Sequence, residues 1–371
     1  MIDVLIIGGG LAGLINALLL SRAGLTVSLI EKKRYPFHRV CGEYISNEVV
    51  PFLKSIDAYP ENQELPSINK FILSDTYGNT VNLRLPLGGF GVSRYFFDNY
   101  LFEKAQKAGC TIFQGLQVIT VSMVDDCFES ELSNGTTIKS KIVIGAHGKR
   151  SRIDKSLKRA FIEKRSPYIG VKYHVKTNFP AETVALYNFK KGYFGINSIE
   201  NGRFNICYLS HRDNLSHTSD IQTMEREILG QNPHIKTILE QSEFLQEKPL
   251  VINEISFSAK KAVENHVLMA GDAAGMITPL CGNGMAMAIH SAKILSGLII
   301  FHLGQKKFNR SDLENEYETY WNNIFKRRLQ FGRMTQKFFG QRAASTFTVA
   351  LAKNSKLIAD FIIRQSHGAP F

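Results

Sequence analysis

The sequence predicts an α/β fold: a Rossmann-like nucleotide-binding domain split along the chain, an α+β insertion built on a mostly antiparallel β-sheet, and helices at the C-terminus. Three observations lead there. The first is the opening stretch. Val4–Ile7 is all apolar, Gly8, Gly10 and Gly13 form G-x-G-x-x-G, Leu14–Arg22 is an apolar helical stretch, and a second strand-like run, Thr26–Ile30, ends on Glu31. This is a β-turn-α-β unit whose acid follows the glycines at the spacing a dinucleotide fold requires. The second is the return of nucleotide-like elements near residues 94, 147 and 272. The third is an aromatic-rich, strand-like stretch, 168–208, lying between two of those returns.

Each residue type in the opening unit has a reason. Gly8 permits the tight turn, Gly10 lets the backbone approach a pyrophosphate, and Gly13 lets helix and strand pack closely. The helix start, at Leu11 and Ala12, offers unpaired N–H groups to phosphates. Glu31 can accept from ribose hydroxyls, with Lys32 beside it.

The chain has 371 residues, 44% of them hydrophobic, enough for two domains or one large one. Five cysteines, at 41, 110, 127, 207 and 281, are odd in number and form no C-x-x-C pair. That argues against a disulfide framework or a zinc site, so no metal is expected, and it suits a reducing cytoplasm. The apolar N-terminus lacks the basic region of a signal peptide. No uninterrupted apolar run reaches the length that spans a bilayer. The net charge is +12, and residues 301–371 hold 12 Lys/Arg against 5 Asp/Glu, a net +7. No basic-aromatic interleaving of a nucleic-acid binder is present. The charge instead suits an acidic carrier protein or an anionic membrane surface, and a location peripheral to the membrane.

Taken in order, residues 32–64 read as a loop and short helix, and 68–86 as two strands around Tyr77-Gly78-Asn79. Phe96–Ala108 is helical after Ser93-Arg94, Thr111–Ser133 holds short strands, and Asn134-Gly135 signals a hairpin. Lys141–Ala146 is a buried strand ending at Gly145-Ala146-His147-Gly148. Residues 219–245 read as helical, 250–257 as extended, and His266–Ala270 as a strand entering Gly271-Asp272. A long helix is expected over 283–303. Ser311 and Glu314 suggest a capping box for a helix with Leu313, Tyr317, Tyr320, Trp321, Ile324 and Phe325 on one face. The nucleotide-binding domain is expected to comprise 1–66, 90–160 and 256–305, the substrate domain 67–89 and 161–255, and the helical region 306–371.

These residues resemble flavoprotein monooxygenases of the p-hydroxybenzoate hydroxylase type, and within them the geranylgeranyl-reductase-like branch. The resemblance spans residues 2 to about 300. It rests on the G-x-G-x-x-G with Glu31, on Arg39-Val40-Cys41-Gly42-Glu43, and on Arg94-Tyr95-Phe96-Phe97-Asp98, similar to R-x-x-F-D. It rests further on Gly271-Asp272-Ala273-Ala274 and on Pro279-Leu280-Cys281-Gly282-Asn283-Gly284-Met285, similar to P-x-x-G-x-G.

The resemblance implies non-covalent FAD. Gly8, Gly10, Leu11, Ala12, Gly13, Glu31, Lys32, Arg39, Cys41, Gly42, Arg94, Gly271, Asp272, Pro279, Gly282, Gly284 and Met285 would form its site. Asp272 would accept from a ribityl hydroxyl. Backbone N–H groups at Gly282 and Gly284, with the dipole of the following helix, would stabilise the negative charge of reduced flavin. Arg94 and Arg39 would lie near the phosphates or ribityl chain. His147 stands where the family usually has Asp, either as a substitute donor or as a sign that nicotinamide is handled differently. Cys41 is the candidate catalytic residue, or a small buried hydrophobe. Cys281 carries the same two readings.

The middle aromatics are either ordinary sheet residues or the roof of a greasy cavity with polar contacts from His174, Tyr187 and Tyr193. The implied function is redox chemistry on a hydrophobic organic substrate, with NAD(P)H as donor. In monooxygenation, reduced flavin captures O2 as a C4a-hydroperoxide. In reduction, flavin N5 delivers hydride to an isoprenoid double bond. Tyr187-Asn188-Phe189-Lys190-Lys191 stands where the reductase branch has an aromatic-Phe-Pro motif. A flavin-dependent halogenase is an alternative, although W-x-W-x-I-P is absent, and so is a non-catalytic electron-transfer protein. Lys326-Arg327-Arg328, Arg333, Lys337 and Arg342, interleaved with Phe325, Leu329, Phe338 and Phe339, are either a solvated helix face or a docking surface.

Overall fold

In a computed structural model, all residues are described except 219, 279–282, 337–339, 356, 358, 361–362 and 364–367. The expectations for Pro279, Cys281, Gly282, Lys337, Phe338 and Phe339 lie outside the described residues. The apolar runs of the N-terminal unit become the parallel centre of a mixed sheet. Its strand order is Val263–Glu264, Val267–Met269, Thr137–Gly145, Ile2–Ile7, Val27–Glu31, Thr111–Gln114. Ile2–Ile7 is parallel to both Val27–Glu31 and Thr137–Gly145. Val4, Leu5 and Ile6 are fully buried because helices cover the sheet. Leu11–Arg22 packs against both Arg94–Lys107 and Gly284–Leu303. A hairpin, Val118–Val124 with Cys127–Leu132, leads into Thr137–Gly145.

The second sheet runs Glu243–Phe244, Tyr168–Lys176, Arg203–His211, Gly192–Ile199, Thr183–Phe189, Ser67–Ser74, Thr80–Gly91, Tyr44–Ser46. Its pairs are antiparallel except Thr183–Phe189 with Ser67–Ser74. Residues pointing to its two faces alternate. One face packs Tyr173, Phe189, Phe194 and Tyr208 against helices Ile221–Glu227 and Pro233–Gln241. The other looks toward the first sheet.

The helix expected over 283–303 forms, and the capping expected for the helix after it does not. Helix Gly284–Leu303 is 20 residues long with mean hydropathy 1.6, long and apolar enough by those measures to cross a membrane. Half of that stretch is buried inside the protein, with Ala286, Ile289, Ala292, Leu295 and Ile299 in the core, so tertiary packing accounts for its apolarity. The Ser311–Glu314 capping box does not form. Helix Arg310–Gln336 starts one residue earlier, Asn309 Oδ1 accepts from Ser311 N at 3.1 Å, and Glu314 meets His266 at 3.0 Å. Leu313, Tyr317, Trp321, Phe325 and Leu329 are its buried face, whereas Tyr320 is exposed. Tyr317 Oη donates to Met269 O at 2.6 Å, fastening this helix to the end of the first sheet.

The two sheets are joined by a buried carboxylate. Glu43, in the left-handed region at φ 54°, accepts from Lys172 Nζ, shares a 2.6 Å hydrogen bond with His174 Nε2, and accepts from Arg94 N at 2.7 Å. Asn205 Nδ2 donates to Gly42 O at 2.9 Å, and Lys172 Nζ to Arg39 O at 3.0 Å. Side chains of the second sheet thus hold the 39–43 loop against the first.

Burial by itself would raise the Glu43 carboxyl, but the charge of Lys172 and the hydrogen bonds from His174 and Lys172 outweigh it and hold the group at about 2. A folded value below the ordinary 4.5 means that this stabilisation is complete above pH about 4.5 and is lost as pH falls toward about 2. Acid unfolding followed by circular dichroism is expected to set in within that window. Lys172→Met, which strands the carboxylate, is expected to cost about 3–5 kcal/mol in urea unfolding. A loss below about 1 kcal/mol, within the range of an exposed ion pair, would show that the network does not join the sheets.

Candidate functional site

The Gly8–Gly13 turn builds one end of the site. Gly8 has φ +103°, and a Cβ there would stand 2.6 Å from Ala146 O. A Cβ at Gly13 would collide with Gly8 O. Only glycine fits either position. Gly10 caps helix Leu11–Arg22 without a side-chain hydrogen bond, so the first N–H groups stay open. Gly10, Leu11 and Ala12 line a cavity of about 950 Å³ between the two sheets. Gly284 and Met285, at the start of the helix following Asn283, line its far side, and Asn283 likewise caps without a side-chain bond to that helix.

Glu31 lies within this cavity wall but is already engaged. It accepts from Gly9 N at 2.9 Å, Lys33 N at 3.0 Å and Arg39 Nη2 at 3.1 Å. A carboxylate has about four acceptor positions, which leaves room for one ribose hydroxyl. Asp98, the acid of the R-x-x-F-D stretch, organises both arginines. Arg94 grips it bidentately at 2.6 and 2.8 Å, and Arg39 Nε donates to it at 2.9 Å. The i, i+4 spacing of Arg94 and Asp98 on one helix was the available signal. Lys32 lines the mouth and is exposed.

Asp272 lies in the wall beside Gly271, whose φ is +59°. Burial raises its carboxyl, against the pull of Lys260, Arg94 and Lys149. Among the described residues its carboxylate accepts no hydrogen bond. A half-buried acid in that condition is costly unless a ligand or solvent donates to it. Its neighbours Lys149 and Lys260 are both pushed down to about 8 by burial.

His147 lines the cavity with its Nε2 turned to Asp154 Oδ1 at 3.1 Å. Asp154 also accepts from Arg159 at 2.9 Å and Ser151 N at 2.7 Å. An acid therefore does stand next to this segment, seven positions later and behind the histidine. His147 Nδ1 is buried without a partner.

Cys41 and Gly42 line the middle of the cavity, where a Cβ on Gly42 would meet nothing within 4 Å. Burial raises the Cys41 thiol, while the facing Arg94 guanidinium pulls the other way. Cys207, which no sequence motif marks, lines the same wall and is pushed up to about 12, first by burial and then by Cys41.

Of the three polar substrate candidates, only Tyr193 lines the cavity. Tyr187 sits on the opposite face of its strand, where it stacks on His234 at 5.1 Å, since Val184 and Leu186 take the cavity face. His174 is committed to Glu43 beneath the 39–43 loop. The cavity beyond Cys41 is walled by Phe71, Leu73, Leu85, Leu186, Leu209 and Ile252, and Phe331, Phe347 and Ile363 of the C-terminal region line it as well. Most of the middle aromatics fill the other face of the sheet.

FAD fits this arrangement. Two open helix starts, a half-buried acid that accepts no hydrogen bond from any described residue, two anchored arginines and a glycine cradle line one continuous space. Residues 1–313 match the family model described as an FAD binding domain. The chain is 24% identical over 354 residues to conditioned medium factor receptor 1 of Dictyostelium discoideum, covering 86% of this chain and 67% of that one. It is 25% identical over 344 residues to digeranylgeranylglycerophospholipid reductase of Methanosarcina acetivorans, covering 86% and 80%. A geranylgeranyl bacteriochlorophyll reductase-like structure from Thermoplasma acidophilum shares the fold, with TM-score 0.80 and 18% identity over 98% of this chain and 95% of that one. With the glycine turn, Glu31 and Asp272 all facing one space, the chain belongs to the FAD-binding-domain family and is an FAD-dependent oxidoreductase.

Proposed function

We propose that this oxidoreductase saturates double bonds of an extended, isoprenoid-like apolar substrate. The observation carrying this reading is that Cys41 and Arg94 face each other in one cavity, polar at the glycine turn and apolar toward the second sheet. The reductase among the relatives supports it. NAD(P)H is proposed as donor, since Lys32, Lys33 and Lys149 give the mouth a positive rim suited to phosphates. Free thiols at Cys41, Cys110, Cys127 and Cys207 support a reducing cytoplasm.

Bound FAD supplies hydride chemistry. Asp272 and the two open helix starts orient it, and Arg39 and Arg94, fixed by Asp98, balance its phosphates. The apolar walls exclude water and lay the substrate chain along the second sheet. Saturating a double bond needs one proton beyond what the cofactor brings. Burial keeps Cys41 protonated, so its Sγ holds that proton at neutral pH. After transfer to carbon, the thiolate faces the Arg94 guanidinium, which stabilises it until solvent returns a proton.

Reduced enzyme given a geranylgeranylated lipid without oxygen is expected to yield product heavier by one H2 per double bond. Oxygen-18 in the product under ¹⁸O2 would overturn the reading in favour of monooxygenation, and halide incorporation in favour of halogenation. Flavin cycling with the lipid unconsumed would mark an electron-transfer protein.

Cys41→Ala is expected to slow turnover by about 10²-fold or more with FAD content unchanged. Unaltered turnover would leave Cys41 a packing residue. Asp272→Ala removes a charged hydrogen-bond acceptor, so FAD should dissociate more readily by roughly 1.5–3 kcal/mol. Equal retention by flavin fluorescence in the folded variant would remove Asp272 from the site.

A further inference from the structure

Helix Arg342–Asn354 buries Ser345, Val349 and Ala352 and turns Ala343, Phe347 and Ala350 outward. Phe347 is 65% exposed and also lines the cavity, so it stands at a mouth of its apolar end. Phe331 and Thr335 reach the same end from helix Arg310–Gln336. On the same helix Met334 is 58% exposed, and beyond helix Arg342–Asn354 Leu357 is 83% exposed. Three large apolar side chains left in water, Phe347 at that opening, are not explained by the core.

Of the cations nearby, Arg342 lies over the Tyr77 ring at 5.7 Å and the others face outward or along the helix flank. Arg328 turns back to Glu48 at 3.5 Å, whereas Lys326, Arg327, Arg333, Arg342 and Lys353 form no salt bridge among the described residues. Helical spacing puts Arg327 and Met334 on the side of their helix opposite its buried face, with Lys326 exposed and Arg333 half-buried on its flank. Asp360 is the exposed acid of the chain that follows. With a net +7 over 301–371, this face favours an anionic partner and disfavours a second copy of itself.

We propose that this face docks on an anionic lipid bilayer, with Phe347, Met334 and Leu357 entering the interface and the apolar end of the cavity opening onto it. Basic side chains on anionic headgroups with apolar ones beneath are the arrangement of an interfacial element, whose apolar face sinks about 5–10 Å. A lipid substrate then reaches the cavity without crossing water. That benefit rests on the proposed reaction; the docking itself does not.

The test is co-sedimentation of the full-length, FAD-loaded protein with vesicles of phosphatidylcholine, or of phosphatidylcholine mixed with phosphatidylglycerol. Binding is expected only with the anionic lipid. It should fall steeply as salt rises past about 0.15 M, where the field decays within about 8 Å. Combining Lys326→Glu, Arg327→Glu and Lys353→Glu should weaken it by about fivefold or more per side chain. Met334→Ser with Leu357→Ser should weaken it at low salt as well. Flavin absorbance confirms that each variant is folded.

Binding to neither vesicle, or binding indifferent to these variants, overturns the proposal. So does a concentration-dependent dimer that hides this face, or capture of an acidic carrier protein without vesicle binding. Variant-sensitive docking with no double-bond reduction would overturn the reaction and leave the docking standing. Reduction of a detergent-dispersed lipid without docking would do the reverse.

Discussion

The Glu43 carboxylate holds the site together. Two charged groups and a histidine are removed from water at one point, and such a cluster is tolerable only where every lone pair finds a donor. Here Lys172, His174 and the Arg94 backbone supply them. Because the lysine and histidine come from the second sheet and the carboxylate from the loop leaving the first, meeting this electrostatic demand sets how the sheets face each other. Cys41 and Gly42, immediately before Glu43, inherit their position in the cavity wall from it.

A second acid, Asp98, performs the same service for the arginines. One carboxylate receiving two guanidiniums leaves each with remaining donors and a fixed direction. Glu43, Asp98 and Asp154 are satisfied within the protein, and they position other groups. Asp272 stands half-buried in the cavity wall without a hydrogen bond from any described residue, and that contrast separates the acid proposed to bind the cofactor from the structural ones. His147 is tied from behind by Asp154, so only Nδ1 is left to meet a ligand.

The cavity is polar and cationic where the first sheet and its glycine turn line it, and apolar where the second sheet and C-terminal helices do. The polar end comes from backbone N–H groups and side chains fixed by hydrogen bonds. The apolar end comes from alternate residues of several strands, assembled by register, and from helices far along the chain. This difference in construction explains why one end could be read in advance and the other could not.

The glycine turn was legible because Gly8 and Gly13 answer local demands of backbone conformation and close approach, which no other side chain meets. Glu31, the Arg94 segment and Gly271-Asp272 were legible as motifs, and the split α/β architecture with a mostly antiparallel second sheet followed from their order. Strand alternation then placed Tyr187 on the far face while Tyr193 stayed in the cavity, and a distant carboxylate claimed His174. The capping residue of the long C-terminal helix shifted to Asn309 because Glu314 found His266. The apolarity of Gly284–Leu303 acquired its meaning only from the helices packed around it. Sequence by itself determined the cofactor cradle, because its chemistry lies in contiguous backbone. The tertiary structure decided the partners of the buried charges and the walls of the apolar end, because those contacts join residues more than a hundred positions apart, as between Glu43 and Lys172.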